Sequence, residues 1–351
     1  MSELGARVGS LTTRARTALV IGVGAVGLLV AGLVAPASAA GTLVDIVLRE
    51  ATLSSALRLS VPITLAALGG ILSEKAGVIN IGLEGLLIIA AFAAIYVADL
   101  TGGVWTGFLG GVLAATVLAA LFGVVVIEFR ADQIIAGLAV WLIALGLAPF
   151  ASQVIYGGPN SPSVTTPGSL TTPVLSELPV AGALFDASPT VYLMFLAVGV
   201  TWYLLNRTRF GRWVQASGER PEALDTAGIS VSRVRYGAIV LSGVLSGMGG
   251  AALSLDLGQF TGTGPTMVNG KGFIAIVAYL FGNYNPIGAF LATLLFGGLD
   301  AIQTALQLQN VGIPNPLIRV IPFVTVIVVL ALVGRTRIPA AAGDQYESGE
   351  K

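Results

Sequence analysis

Long apolar runs alternate along this chain with short polar interruptions, and that rhythm is its main structural signal. A helix needs roughly 20 mostly apolar residues to cross a bilayer. Ten segments approach that length: 17–36, 51–72, 85–99, 104–127, 134–150, 190–205, 236–255, 272–282, 286–308 and 317–333. They predict an all-α polytopic membrane protein of about ten spans. Segments 85–99 and 272–282 are short, and each follows a polar stretch containing glycine, so each reads as a half-helix or broken span. Pro62 and Pro149 fall within or at the ends of apolar runs. Membrane helices tolerate this where neighbours satisfy the freed carbonyls.

Composition sharpens the picture. Of 351 residues, 55% are hydrophobic and 10% charged, against about 25% charged in soluble domains. Net charge is zero, so no basic excess points to nucleic acid. The chain has no cysteine and no histidine. This removes disulfides, thiol nucleophiles, imidazole bases and most zinc or haem sites, and no metal site is expected.

Basic residues concentrate on the cytoplasmic side of membrane proteins. With the N-terminus inside, 14 of the 18 Lys and Arg residues fall inside and 4 (Arg49, Arg58, Lys271, Arg319) outside. The expected layout is therefore a cytoplasmic segment 1–16, a transmembrane domain 17–335 and a cytoplasmic tail 336–351. Within the domain, 151–189 is an external loop and 206–235 a cytoplasmic loop. The first apolar segment has a second reading, because Arg14 and Arg16 precede it and Ala37-Ser38-Ala39 resembles a signal-peptidase site; cleavage would leave nine spans. The external stretch 152–188, rich in Pro, Ser, Thr and Gly, is either a docking surface or a plain connection.

The sharpest polar break is Ser73-Glu74-Lys75-Ala76-Gly77-Val78-Ile79-Asn80-Ile81-Gly82-Leu83-Glu84-Gly85. Glu74 and Lys75 read as a solvated pair in a cytoplasmic turn. Asn80 and Glu84, four apart, would share one helix face, as pathway groups or in buried structural hydrogen bonding. A second break, 256–272, contains Asn269 and Lys271 and echoes the first: Gly85 pairs with Gly272 and Glu84 with Lys271. The two lie five spans apart and so run oppositely, as in an inverted repeat whose interface carries binding or gating elements. Asp300 and Gln303 share a face of the ninth segment and either line a pathway or bond locally. Trp141 reads as packing or an interfacial anchor.

The cytoplasmic loop predicts a short helix, 221–227, with Pro221 at its first position, Glu222 at its positive end and Gly228 after its end. It either docks in a partner's groove or is a solvated basic loop. Two motif matches are decoys. Gly22-Val23-Gly24-Ala25-Val26-Gly27 lies in an apolar span with no preceding strand, and Gly264 to Lys271 misses the phosphate-loop spacing and its Ser or Thr. No nucleotide site of its own is expected, so any ATP would be hydrolysed by another subunit.

The long first run, with Ala131-Asp132-Gln133-Ile134-Ile135-Ala136-Gly137, Gly218-Glu219-Arg220-Pro221-Glu222-Ala223 and Pro286-Ile287-Gly288-Ala289, resembles the permeases of bacterial ABC importers for simple sugars and nucleosides, of the branched-chain amino acid permease type. The likeness covers roughly 51–333 and is strongest to the nucleoside branch served by a basic-membrane-protein-type binding lipoprotein. It implies a type II importer fold in the bacterial cytoplasmic membrane. It also implies a second, often paralogous permease, ATPase subunits that hold ATP and Mg, and an external binding protein. By that resemblance Gly218, Glu219, Pro221, Glu222 and Ala223 belong to the ATPase-coupling loop. Gln215 departs from the family, where many relatives carry Arg, and shorter relatives lack the first segment. A simple-sugar importer and an ion-coupled secondary transporter are the alternatives.

Overall fold

A computed structural model describes residues 39–174, 176, 181–308, 320, 324 and 336–347. The segments expected at 1–16, 17–36 and 317–333, with Arg319, lie essentially outside these residues. The helices are α1 (Ala39–Leu48), α2 (Glu50–Lys75), α3 (Leu83–Thr101), α4 (Val104–Ile127), α5 (Gln133–Tyr156), α6 (Pro189–Arg207), α7 (Arg209–Glu219), α8 (Pro221–Thr226), α9 (Val231–Leu257), α10 (Lys271–Phe281) and α11 (Pro286–Leu308). Among the described residues seven helices are long and apolar enough to cross a membrane, and α10 is shorter. These eight correspond to the second through ninth expected segments. The third is a correction: α3 runs 19 residues and is a full span, because it begins two residues before the apolar run and takes Leu83 and Glu84 into its first turn. The short eighth segment is short in the structure too, at 11 residues.

Local chemistry sets the boundaries. The Asp132 side chain accepts the Ile135 N–H at the start of α5 (2.9 Å), the usual N-cap bond. Gly102, Gly157 and Gly258 close α3, α5 and α9 in the left-handed conformation, which costs glycine no Cβ clash.

The chain divides into two compact units. In the smaller, Ile46 of α1 packs on Ile302, Ala305 and Leu306 of α11. The larger holds most of α2, all of α3–α10 and the start of α11. Its most buried spans are α9, α2 and α3. Added Cβ atoms on Gly243 and Gly247 would meet α4 at Thr116, Ala119, Val112 and Ala115, and one on Gly250 would strike Leu87 of α3. Small residues let backbones approach where lipid gives no hydrophobic drive to association. The peripheral α4 turns Leu109, Leu113, Val117 and Leu121 outward, as a lipid-facing stripe requires.

Candidate functional site

The polar break between α2 and α3 folds as a tight turn, and the start of α10 seats on it. Gly77 has φ +91°, and Ser73 Oγ donates to Val78 O (2.7 Å). Asn80 lies before α3 rather than on its face. Its Oδ1 accepts the Gly82 N–H (3.0 Å) and its Nδ2 faces Ser242 Oγ (3.4 Å). Gln133 Oε1 accepts the Ile79 N–H (2.7 Å). The expected shared helix face of Asn80 and Glu84 is thus replaced by a turn, since the Asn80 side chain satisfies the Gly82 backbone donor locally.

Glu84, only 2% exposed, is the centre of the site. Its two carboxylate oxygens accept the N–H groups of Gly270 (2.7 Å) and Gly272 (2.6 Å). These are free donors at the start of α10, where the helix dipole favours an anion. Lys271, also buried, adds a nearby positive charge; its Nζ donates to Val268 O (3.4 Å). A Cβ on Gly272 would collide with the Glu84 backbone, so the two turns interlock. Phe273 of α10 meets Trp141 of α5 edge-on, with ring centres 5.2 Å apart.

A second carboxylate holds the other end of α10. Tyr279 donates to Glu74 Oε1 (2.5 Å) and Tyr284, just beyond the helix, to Oε2 (2.7 Å). This corrects the expected solvated Glu74–Lys75 pair. Helix α2 continues past its apolar run and carries Glu74 into the interior, and the charged neighbour of Lys75 is Glu219. Burial, then the charge and hydrogen bond of Glu74, push the Tyr284 hydroxyl well above its ordinary value, so it stays a donor at physiological pH. Helix α10 is therefore clamped at both ends by acidic groups ten positions apart in one turn segment.

That segment also meets the surface helices. Ser217 Oγ of α7 donates to Ala76 O (2.8 Å). A Cβ on Gly218 would strike Lys75 O and come within 3.1 Å of Gly77 N. Gln215 Nε2 donates to Leu205 O (2.8 Å) and Gly211 O (3.2 Å), tying α7 to the end of α6. The short helix expected in this loop is present as α8, with Pro221 first and Gly228 at φ +75° beyond its end. Pro221 and Leu224 face inward, while Glu219, Glu222 and Ala223 are exposed. A cavity of about 200 Å³ opens beside this junction between Lys75, Gln215, Glu219, Tyr284 and Arg337. A continuous series of contacts thus leads from α8 through Gly218 and the α2–α3 turn to both ends of α10.

The family described as branched-chain amino acid transport system permease component matches residues 52–330. The chain belongs to that family. Similar proteins include a guanosine ABC transporter permease, NupQ, of Bacillus subtilis (35% identity, 83% of this chain and 94% of the relative). A nucleoside ABC transporter permease, NupC, of Lactococcus lactis is also 35% identical, over 82% of this chain and 93% of its own length. A putative glucose ABC transporter permease, TsgC13, of Haloferax volcanii is 33% identical over 80% of this chain and 90% of its own. No solved structure matches the chain. The protein is a multi-pass membrane permease component, not itself an enzyme. Permeases of ABC importers act with an ATPase and a substrate-binding partner.

Of the residues singled out by sequence, the structure brings Asn80, Glu84 and Lys271 into one region. Asn269 is exposed at φ +48° beside them. Asp300 and Gln303 are half-buried on α11 in the other unit, where Asp300 O accepts from Thr304 (2.9 Å). Sequence reasoning missed Glu74, Tyr279, Tyr284 and Ser242. The available signal for Glu74 was its place directly after an apolar run, where a charge is costly unless paired.

Proposed function

We propose that the chain is the permease subunit of an ATP-driven importer of nucleosides in the bacterial cytoplasmic membrane, with both termini cytoplasmic. The observation that carries this is 35% identity to permeases of guanosine and nucleoside transporters across more than nine tenths of their lengths. In this reading a loaded binding lipoprotein docks outside. A paralogous second permease completes the pathway, and ATP and Mg bind on a partner ATPase. The ATPase grips α8 and its flanks at Glu219, Glu222 and Ala223. Movement passes through Gly218 to the α2–α3 turn, and Glu74 and Glu84 carry α10 with it. Glu84 and Lys271 act by positioning α10, while Asn269, Asp300 and Gln303 are the candidates to meet substrate along the pathway. A substrate must leave as readily as it arrives, so its contacts here are weak.

The test is uptake by proteoliposomes holding the permease pair, ATPase and lipoprotein. Radiolabelled uridine or guanosine should accumulate only with ATP. Uptake of a simple sugar and not of nucleosides would replace the substrate and leave the importer standing. The 33% identity to a putative glucose permease is what keeps that second reading. Uptake by the lone chain driven by a proton gradient would reject both.

A further inference from the structure

Residues 336–347 run across the surface that carries α7 and α8. They start at the end of α10, where Thr336 Oγ1 donates to Leu280 O (3.1 Å) and the Arg337 N–H to Asn283 Oδ1 (3.0 Å). They then cross the α2–α3 turn: the Ala341 N–H donates to Gly218 O (2.8 Å) and the Gly343 N–H to Gly77 O (3.1 Å). Arg235 of α9, 5% exposed, donates from Nη1 to Asp344 O (2.8 Å). Finally Gln345 bonds to Arg130 O, Glu347 pairs with Arg130, and Tyr346 Oη donates to Asp225 Oδ2 of α8 (2.9 Å).

We propose that residues 336–347 form a strap that fastens α8 to the embedded core, with Ala341 and Tyr346 as positioning residues for transport. Helix α8 has six residues, far below the ~12 that an isolated helix needs to persist. It buries Pro221 and Leu224, which holds one side only. A lever that small transmits a push only if held on another side as well, and Tyr346 supplies that hold. The same strap bonds to Gly218 of α7, to Gly77 and to the end of α10, so it ties the surface helices α7 and α8 to the element clamped by Glu74 and Glu84. It lies beyond the family match, which ends at residue 330. The inference rests on the reading of α8 as the ATPase contact.

The experiment measures substrate moved per ATP hydrolysed in the reconstituted complex, alongside the amount of complex assembled. A chain ending at residue 335 should assemble, hydrolyse ATP and lose coupling about fivefold or more. Tyr346→Phe should lose it about twofold, one hydrogen bond being at stake. An unchanged ratio in both overturns the strap; if the short chain fails to assemble, Tyr346→Phe decides. The chain has no cysteine, so Tyr346→Cys with Asp225→Cys can be joined by a short bismaleimide without background. Transport should persist after joining, because strap and helix move together; arrest on joining overturns the proposal by showing that they must part. If the wild-type complex carries a sugar instead of a nucleoside, the ratios are read with that sugar, so a wrong substrate and a wrong strap give different results.

Discussion

Glu84 sits where a membrane protein has most to lose from a charge, yet its surroundings answer it fully: two backbone donors, a helix N-terminus and Lys271. Removing it should leave two buried N–H groups unpaired. Glu84→Ala is expected to cost roughly 2–5 kcal/mol, seen as a lower unfolding temperature in detergent, with uptake falling at least as far. Glu84→Gln keeps one acceptor and should fall between. An alanine variant as stable as the wild type would dissolve the clamp. At the other end of α10 the sign of the pH effect is set by Tyr284. A hydroxyl pushed upward in the fold gives stability that is fully present below its unfolded value near 10 and is lost as pH climbs through the folded value. Thermal stability should therefore hold from about pH 6 to about pH 9 and drop beyond, and the drop should be smaller in Tyr284→Phe.

At the scale of elements, the short helices α8 and α10 sit at the two ends of one contact series. The Ala223 N–H bonds to Arg220 O (3.1 Å). Ala223→Pro removes that donor and drives Glu222 out of the helical region. The expected result is a complex that inserts and hydrolyses ATP but transports poorly, measured as ATP consumed per nucleoside taken up. Unimpaired transport would place the coupling surface elsewhere. The small-residue face of α9 explains why this helix is the most buried span among the described residues: Gly243, Gly247 and Gly250 let it lie against α4 and α3 at backbone distance.

For the whole molecule, the prediction is ATP-dependent nucleoside uptake that needs a partner permease and a binding protein. Omitting the ATPase or the binding protein should abolish it. The apolar pattern alone determined that this is a polytopic helical membrane protein, because span length and charge cost leave few other solutions for such a chain. It also placed α8, since Pro221 and Gly228 act locally, and marked the polar breaks as the sites to watch. Only the tertiary structure decided what those breaks do. The partners of Glu84 are 186 and 188 positions away, and those of Glu74 more than 200. No local rule reports such pairings. For the same reason Glu74 looked solvated: the tyrosines that hold it come from a distant segment that meets it only when the helices pack.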